Sequence, residues 1–335
     1  MTYWVWSAGV LAGGLVLAAL IAVAGATYQI IGERGDRKRY PPPGDLVDVG
    51  GRRLHLYCAG RVHGPTVVID AGSGNDSTLW GGIVAQVASF ARACAYDRAG
   101  LGWSDPAPLP MTFNDRANDL HSVLSGAGLT GPLILVGHSY GAYIVRAFAK
   151  SHPDRVAGIV LVDAAEEGYS FDPWGLRHAA EVRAREHRVG WAARLGLLRF
   201  CVTLFPAHFD PVKGVPPDAR DEIRALYLRS SRHFASADEM AAYEAVPPAM
   251  RGPGGLGLLG DLPLMVVSRG SRDPATGSPI QPEWLAAQDR LLALSTKSVH
   301  VVADQSGHTI QFSQPWVIVD AIRRLCDEAR RDGRG

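Results

Sequence analysis

Residues 133–141 read Leu-Ile-Leu-Val-Gly-His-Ser-Tyr-Gly, a short apolar run closing on Gly137-His138-Ser139-Tyr140-Gly141. The run is bounded by turn residues and has the length of a buried strand, whereas residues 140–151 carry helical periodicity. A G-x-S-x-G pattern between strand and helix is a sharp turn that lifts the serine hydroxyl clear of the main chain. Glycine on either side keeps the strand and the helix from colliding. A hydroxyl is a poor nucleophile until a base removes its proton, and a projecting Ser139 can reach both such a base and a carbonyl carbon. The stretch therefore predicts a nucleophilic serine at the edge of a sheet.

Working outward, residues 46–49 and 53–58 flank Gly50-Gly51 and read as a hairpin with a glycine turn. Further apolar runs lie at 66–70, 93–96, 159–162, 264–267 and 298–302. Continuous rather than alternating apolar strands indicate a parallel sheet covered on both faces. Helical segments, such as 113–126, fall between most of them, so the order predicts a doubly wound α/β fold. The exception is residues 164–261, far longer than an ordinary crossover and helical in pattern, which read as an inserted cap. Residues 45–163 and 262–330 then form the two parts of the core.

The base is expected at His308, which follows the last strand in Ser306-Gly307-His308 and precedes a helical segment. Open α/β sheets place their sites at that carboxyl edge. The acid that would orient it is assigned to Asp273, in Gly270-Ser271-Arg272-Asp273 after the strand 264–267, with Asp163, which ends the preceding strand, as the competitor. The order Ser, Asp, His is that of a sharp-turn serine and differs from the two protease arrangements. An oxyanion needs two backbone donors; Tyr140 N–H supplies one, and Ser73 N–H, in Ala71-Gly72-Ser73-Gly74, is expected to supply the other.

Composition narrows the partners. A net charge of +1 argues against a nucleic-acid partner. Cys58, Cys94, Cys201 and Cys326 form no C-x-x-C pair, so no metal or other cofactor is expected. Residues 1–32 carry no charged side chain and exceed the roughly 20 apolar residues needed to cross a bilayer. Tyr3, Trp4, Trp6 and Tyr28 sit where aromatic residues favour the membrane interface, which makes a spanning anchor the preferred reading over a cleaved signal peptide. A charged connector, residues 33–44, ends in Tyr40-Pro41-Pro42-Pro43-Gly44. Within the cap, residues 177–205 combine a basic stretch with an apolar run. They read as an amphipathic helix packed on the core, with a membrane-surface lid as the alternative.

Taken together, these motifs resemble the α/β-hydrolase superfamily, from about residue 46 to residue 325. Within it, Tyr40 to Gly44, Leu-His-Leu-Tyr-Cys at 54–58 and Tyr-Asp-Arg-Ala-Gly-Leu-Gly-Trp-Ser-Asp at 96–105 look like bacterial membrane-anchored serine hydrolases with a helical cap. The resemblance implies a mostly parallel eight-stranded sheet with its second strand antiparallel. It also implies cleavage of a small-molecule or lipid-like ester through an acyl-enzyme, with an acyltransferase or a non-turnover ligand receptor as alternatives. Relatives that open epoxides or remove halides use an aspartate nucleophile, which Ser139 excludes. The chain departs from many members in having Ala71 where they have histidine. Asp97-Arg98 reads as structural. If the superfamily strand order holds, Cys58 and Cys94 lie on neighbouring strands within disulfide reach, which implies an oxidising compartment. Arg34, Arg37, Lys38 and Arg39 just after the anchor point instead to a cytoplasmic domain; the cysteines weigh slightly more, giving an expected extracytoplasmic domain.

Overall fold

Apolar residues with few turn formers among them build eight strands: β1 (Asp45–Asp48), β2 (Arg53–Ala59), β3 (Thr66–Asp70), β4 (Ala93–Tyr96), β5 (Leu133–His138), β6 (Val156–Val162), β7 (Leu264–Arg269) and β8 (Ser298–Ala303). They come from a computed structural model that describes all residues except 1, 62, 63, 207, 210–219, 271, 273–276, 278, 334 and 335, together with the side chains of 2–10. The strands form one sheet in the order β1-β2-β4-β3-β5-β6-β7-β8. Strand β2 runs antiparallel to β1 and β4, and every other pairing is parallel. The hairpin turn between β1 and β2 has φ of 96° at Gly50 and 89° at Gly51, a region open chiefly to glycine.

The chain divides into two compact units, Met1–Pro41 with Ala184–Phe234, and Pro42–Arg183 with Ala235–Gly335. Helix α1 (Thr2–Arg39) belongs to the first. In the second, α2 (Gly81–Val87), α3 (Phe113–Gly126) and α4 (Gly141–Ser151) alternate with the strands. Between β6 and β7 the described residues hold helices: α5 (Glu167–Ser170), α6 (Pro173–Arg194), α7 (Leu197–Leu204), α8 (Arg220–Tyr227) and α9 (Ser230–Ala245). Helices α10 (Pro282–Leu292), α11 (Ile310–Ser313) and α12 (Pro315–Arg331) complete the fold.

Both faces of the sheet are covered, which is why its central strands lack alternation. Residues of α3, α4 and α10 form one apolar layer with Leu133, Leu135 and Ile159, while α2 and α12 form the other with Val67, Val136 and Val160. Strands β3, β4, β5 and β6 are buried along their whole length. Truncating one such leucine to alanine costs about 2–5 kcal/mol. The rigid sheet fixes what stands at its carboxyl edge, where β5 and β6 are paired up to His138 and Val162.

Candidate active site

Ser139 and Asp163 are the residues immediately after that last pair. Both adopt positive φ, 50° at Ser139 and 38° at Asp163, and they are the two non-glycine residues that do so among those described. Such backbone strain persists only where surrounding bonds fix it, and it concentrates at functional sites. Here the fixing bonds are visible: Ser139 N–H donates to Val162 O at 3.1 Å, Ala165 N–H donates to Ser139 O at 3.1 Å, and Asp163 N–H donates to Val267 O at 2.7 Å. The flanking glycines are required by contact. A Cβ at Gly137 would stand 2.8 Å from Ala142 Cα, and one at Gly141 would stand 2.3 Å from Asp70 O.

The Asp163 carboxylate accepts a hydrogen bond from His308 Nδ1 at 2.6 Å. Its other oxygen accepts from Trp284 Nε1 at 3.1 Å and from Arg269 N–H at 3.3 Å. Burial pushes its acidity down, yet the His308 hydrogen bond, the His308 charge and Arg269 outweigh that, so Asp163 titrates below the ordinary aspartate range. An ionised carboxylate can only accept, so Nδ1 carries the proton, and Nε2 of a neutral His308 is left as the acceptor. The imidazole side chain is 40% exposed. A base in this state can take a proton from a hydroxyl and later return it to a leaving group.

The hydrogen bond expected of Asp273 is therefore made by Asp163, and Asp273 itself lies outside the described residues. The physical reason lies in the topology: Asp163 directly follows β6, the strand beside the one that bears Ser139, so its carboxylate starts at the sheet edge.

Near Ser139, neither the Tyr140 N–H nor the Ser73 N–H, the expected oxyanion donors, has a protein acceptor among the described residues. The loop carrying Ser73 is held by a buried network. Arg98 donates to Ala71 O at 2.7 Å and Gly72 O at 2.8 Å, to the Asp70 carboxylate, and to Glu239 Oε1 at 2.7 Å. Glu239, on α9, accepts at Oε2 from Ser73 Oγ at 2.9 Å and Gly74 N–H at 2.7 Å. Burial raises the Glu239 affinity for a proton, but Arg98 and Arg116 lower it further, so the carboxyl stays ionised below its ordinary range. Arg98 and Glu239 thus seize the loop from both sides, through its carbonyls and through an N–H and a hydroxyl.

His138 was missed by sequence reasoning. Its Nε2 lies 3.0 Å from His308 O, an oxygen that can only accept, so Nε2 carries the proton. Its ring stacks obliquely on His308, with centroids 4.7 Å apart. Gly72 packs against it, since a Cβ there would lie 2.9 Å from His138 Nδ1. Burial above all, and then the neighbouring His308 charge, lower its pKa to about 3. Its position directly before Ser139 was the one signal the sequence offered. Glu239 offered none, being 165 residues from the Gly74 N–H that it receives.

Comparisons with known proteins bear on the family and the fold. A sequence profile described as the Alpha/beta hydrolase family matches residues 62–321. The "Probable transporter efuK" of Hormonema carpetanum is 35% identical over 139 residues, 39% of this chain and 20% of that protein, so the chain spans about a fifth of its length. The "Uncharacterized protein YqjL" of Bacillus subtilis (strain 168) is 24% identical over 277 residues, 82% of this chain and 88% of that protein. Among solved structures, a thermophilic esterase from Thermogutta terrifontis superposes with a TM-score of 0.60 at 23% identity, covering 84% of this chain and 97% of the esterase. That likeness is one of fold.

Proposed function

Since the chain belongs to the alpha/beta hydrolase family, we propose that it is a serine hydrolase that cleaves carboxylic esters through an acyl-enzyme. Ser139 is the nucleophile, His308 the general base and Asp163 the orienting acid. The observation that carries the reading is the His308 Nδ1 to Asp163 hydrogen bond at 2.6 Å, with Ser139 on its strained turn at the same edge of the sheet.

In the first half-reaction, Ser139 Oγ attacks the ester carbonyl carbon while His308 Nε2 takes the hydroxyl proton. The carbonyl oxygen becomes an oxyanion, met by the Tyr140 and Ser73 N–H groups, and a lost donor of this kind costs about 3–4 kcal/mol. The tetrahedral intermediate collapses by breaking the bond to the alkoxy oxygen, which leaves as alcohol with the proton from His308. In the second half-reaction His308 deprotonates water, which attacks the acyl carbon, and the serine leaves with that proton. Asp163 stays ionised throughout and stabilises the imidazolium.

We further propose that α1 anchors the protein in a membrane. Residues 11–39 contain a stretch long and apolar enough to span one. The Cys58–Cys94 disulfide, between directly paired residues of β2 and β4, supports an extracytoplasmic catalytic domain.

The test is turnover of p-nitrophenyl acetate and butyrate by the full chain in detergent. Product exceeding enzyme many times over, lost in Ser139→Ala, supports the reading. Equal turnover by the Ser139→Ala protein refutes it.

A further inference from the structure

Helix α7 and the end of α6 expose an apolar face that no part of the catalytic reading uses. Trp191 is 55% exposed, Leu195 42%, Leu197 55%, Phe200 50%, Leu204 54% and Phe205 50%. Leu197, Phe200 and Leu204 recur at i, i+3 and i+7 on one side of α7, and exposed apolar surface of this kind marks an interaction site. What it meets is indicated by the helix against which this part of the chain is seated, because α1 belongs to the same compact unit.

The seating is close enough to exclude side chains. A Cβ at Gly25 would lie 2.2 Å from Leu195 O, and one at Gly196, where φ is 74°, would lie 2.3 Å from Gly25 O. One turn pair further, Gln29 is buried, its amide donating to Leu228 O at 2.7 Å and accepting from Arg199 Nε at 3.0 Å. Arg199 also pairs with Asp36 at 2.7 Å. Residues 25–36 of α1 therefore fix the height of α7 along the anchor.

That height can be placed against a bilayer. A hydrocarbon layer of about 30 Å needs about 20 residues at about 1.5 Å each. The uncharged segment ends at Gly32. A span starting as early as Tyr3 would end about three residues, or about 4.5 Å, short of Gly25, which still lies in the headgroup layer. Any later start puts Gly25 at the boundary or inside it. The Leu195–Gly196 contact is thus at membrane level wherever the span is set. The exposed Arg188 and Arg194, the latter with its guanidinium 5.5 Å from the Trp191 ring centroid, give the aromatic and basic rim that suits an anionic headgroup layer.

We propose that the face of α6 and α7 carrying Trp191, Leu195, Leu197, Phe200, Leu204 and Phe205 is inserted in the interfacial layer of an anionic lipid bilayer, held at that depth by its contact with α1. The inference rests on α1 as a membrane span and is independent of the ester chemistry.

Nitroxide depth measurement tests it on the full chain in phosphatidylcholine/phosphatidylglycerol vesicles. Labels go at Phe200→Cys, Leu204→Cys, Leu17→Cys and, as an aqueous reference, Glu283→Cys, each in a Cys201→Ser, Cys326→Ser background. Labels at 200 and 204 are expected to collide with oxygen several-fold more, relative to a water-soluble nickel chelate, than the label at 283. Gly25→Leu should return them towards the aqueous value while leaving position 17 deep. Aqueous readings at 200 and 204 with a deep reading at 17 overturn this inference alone; an aqueous reading at 17 overturns the anchor and the inference together. Dipolar broadening between two labels at 200, without lipid contact, would make the partner a second copy and equally overturn it.

Discussion

At Asp163 the change to asparagine keeps the volume and removes the charge, so the amide can donate to His308 Nδ1 and leave the wrong ring nitrogen protonated. We expect Asp163→Asn to lower kcat for a short ester by roughly 10²- to 10⁴-fold, with little change in KM. Asp273→Asn should stay within a few-fold, and a reversed ranking in steady-state kinetics would return the acid to position 273. His138 makes a pH prediction. Its folded pKa is about 3, against about 6.5 for a free imidazole, so between those values the unfolded chain binds the proton and the native one does not. Stability is therefore lost as pH falls from about 6.5 towards about 3, by up to about 5 kcal/mol. Chemical denaturation at stepped pH should show a flatter acid limb in His138→Gln, whose amide can still donate towards His308 O. An unchanged limb would mean that His138 is not the group responsible. At this scale the sequence made Ser139 and His308 legible as candidates, because the strand-turn-helix context points to the first and the chain order to the second. It left two aspartates open, because both follow strands of the sheet in the sequence; the paired strand order and the turn at 163 bring Asp163 to the imidazole.

Helix α9 and the loop after β3 are coupled by Glu239 and Arg98, both buried and charged. Removing one partner of such a pair strands the other, at a cost of about 3–5 kcal/mol. Glu239→Gln should therefore lower thermal stability and, by releasing Ser73 and Gly74, lower kcat by about 10- to 100-fold through a displaced oxyanion donor. Because the Glu239 pKa is depressed, the pair contributes fully above the ordinary carboxylate range and its contribution is lost as pH falls through the lower folded value. A Glu239→Gln protein with unaltered kcat and a lowered melting temperature would reduce the network to a structural role. The strands and the helices 113–126 and 141–151 were readable from unbroken apolar runs and helical periodicity. The clamp was not, since a glutamate on a helix gives no local sign that its partners lie on a distant loop. The Asp97-Arg98 loop, read as structural, proves to be one half of it.

For the molecule as a whole, the proposed anchor makes a prediction about the side of the membrane, on which charge and cysteines point in opposite directions. Four basic residues follow the uncharged segment, yet Cys58 and Cys94 are joined in a disulfide. With the domain outside, protease added to intact cells should digest it, and non-reduced peptide maps should contain the Cys58–Cys94 pair; a protected domain with both thiols free would place it inside. The candidate membrane helix was legible because it is an uncharged run of sufficient length, and the cysteine pairing became legible only through the implied strand order. The contact of Gly25 with Gly196 was hidden, as it joins residues 171 positions apart by shape alone. The proposed chemistry requires that Ser139 be the nucleophile. The measurement that bears on it most directly is intact-protein and peptide mass spectrometry after a fluorophosphonate. One adduct, carried by the peptide containing Ser139 and missing from Ser139→Ala, is the predicted result; an adduct of equal yield on the Ser139→Ala protein would contradict it.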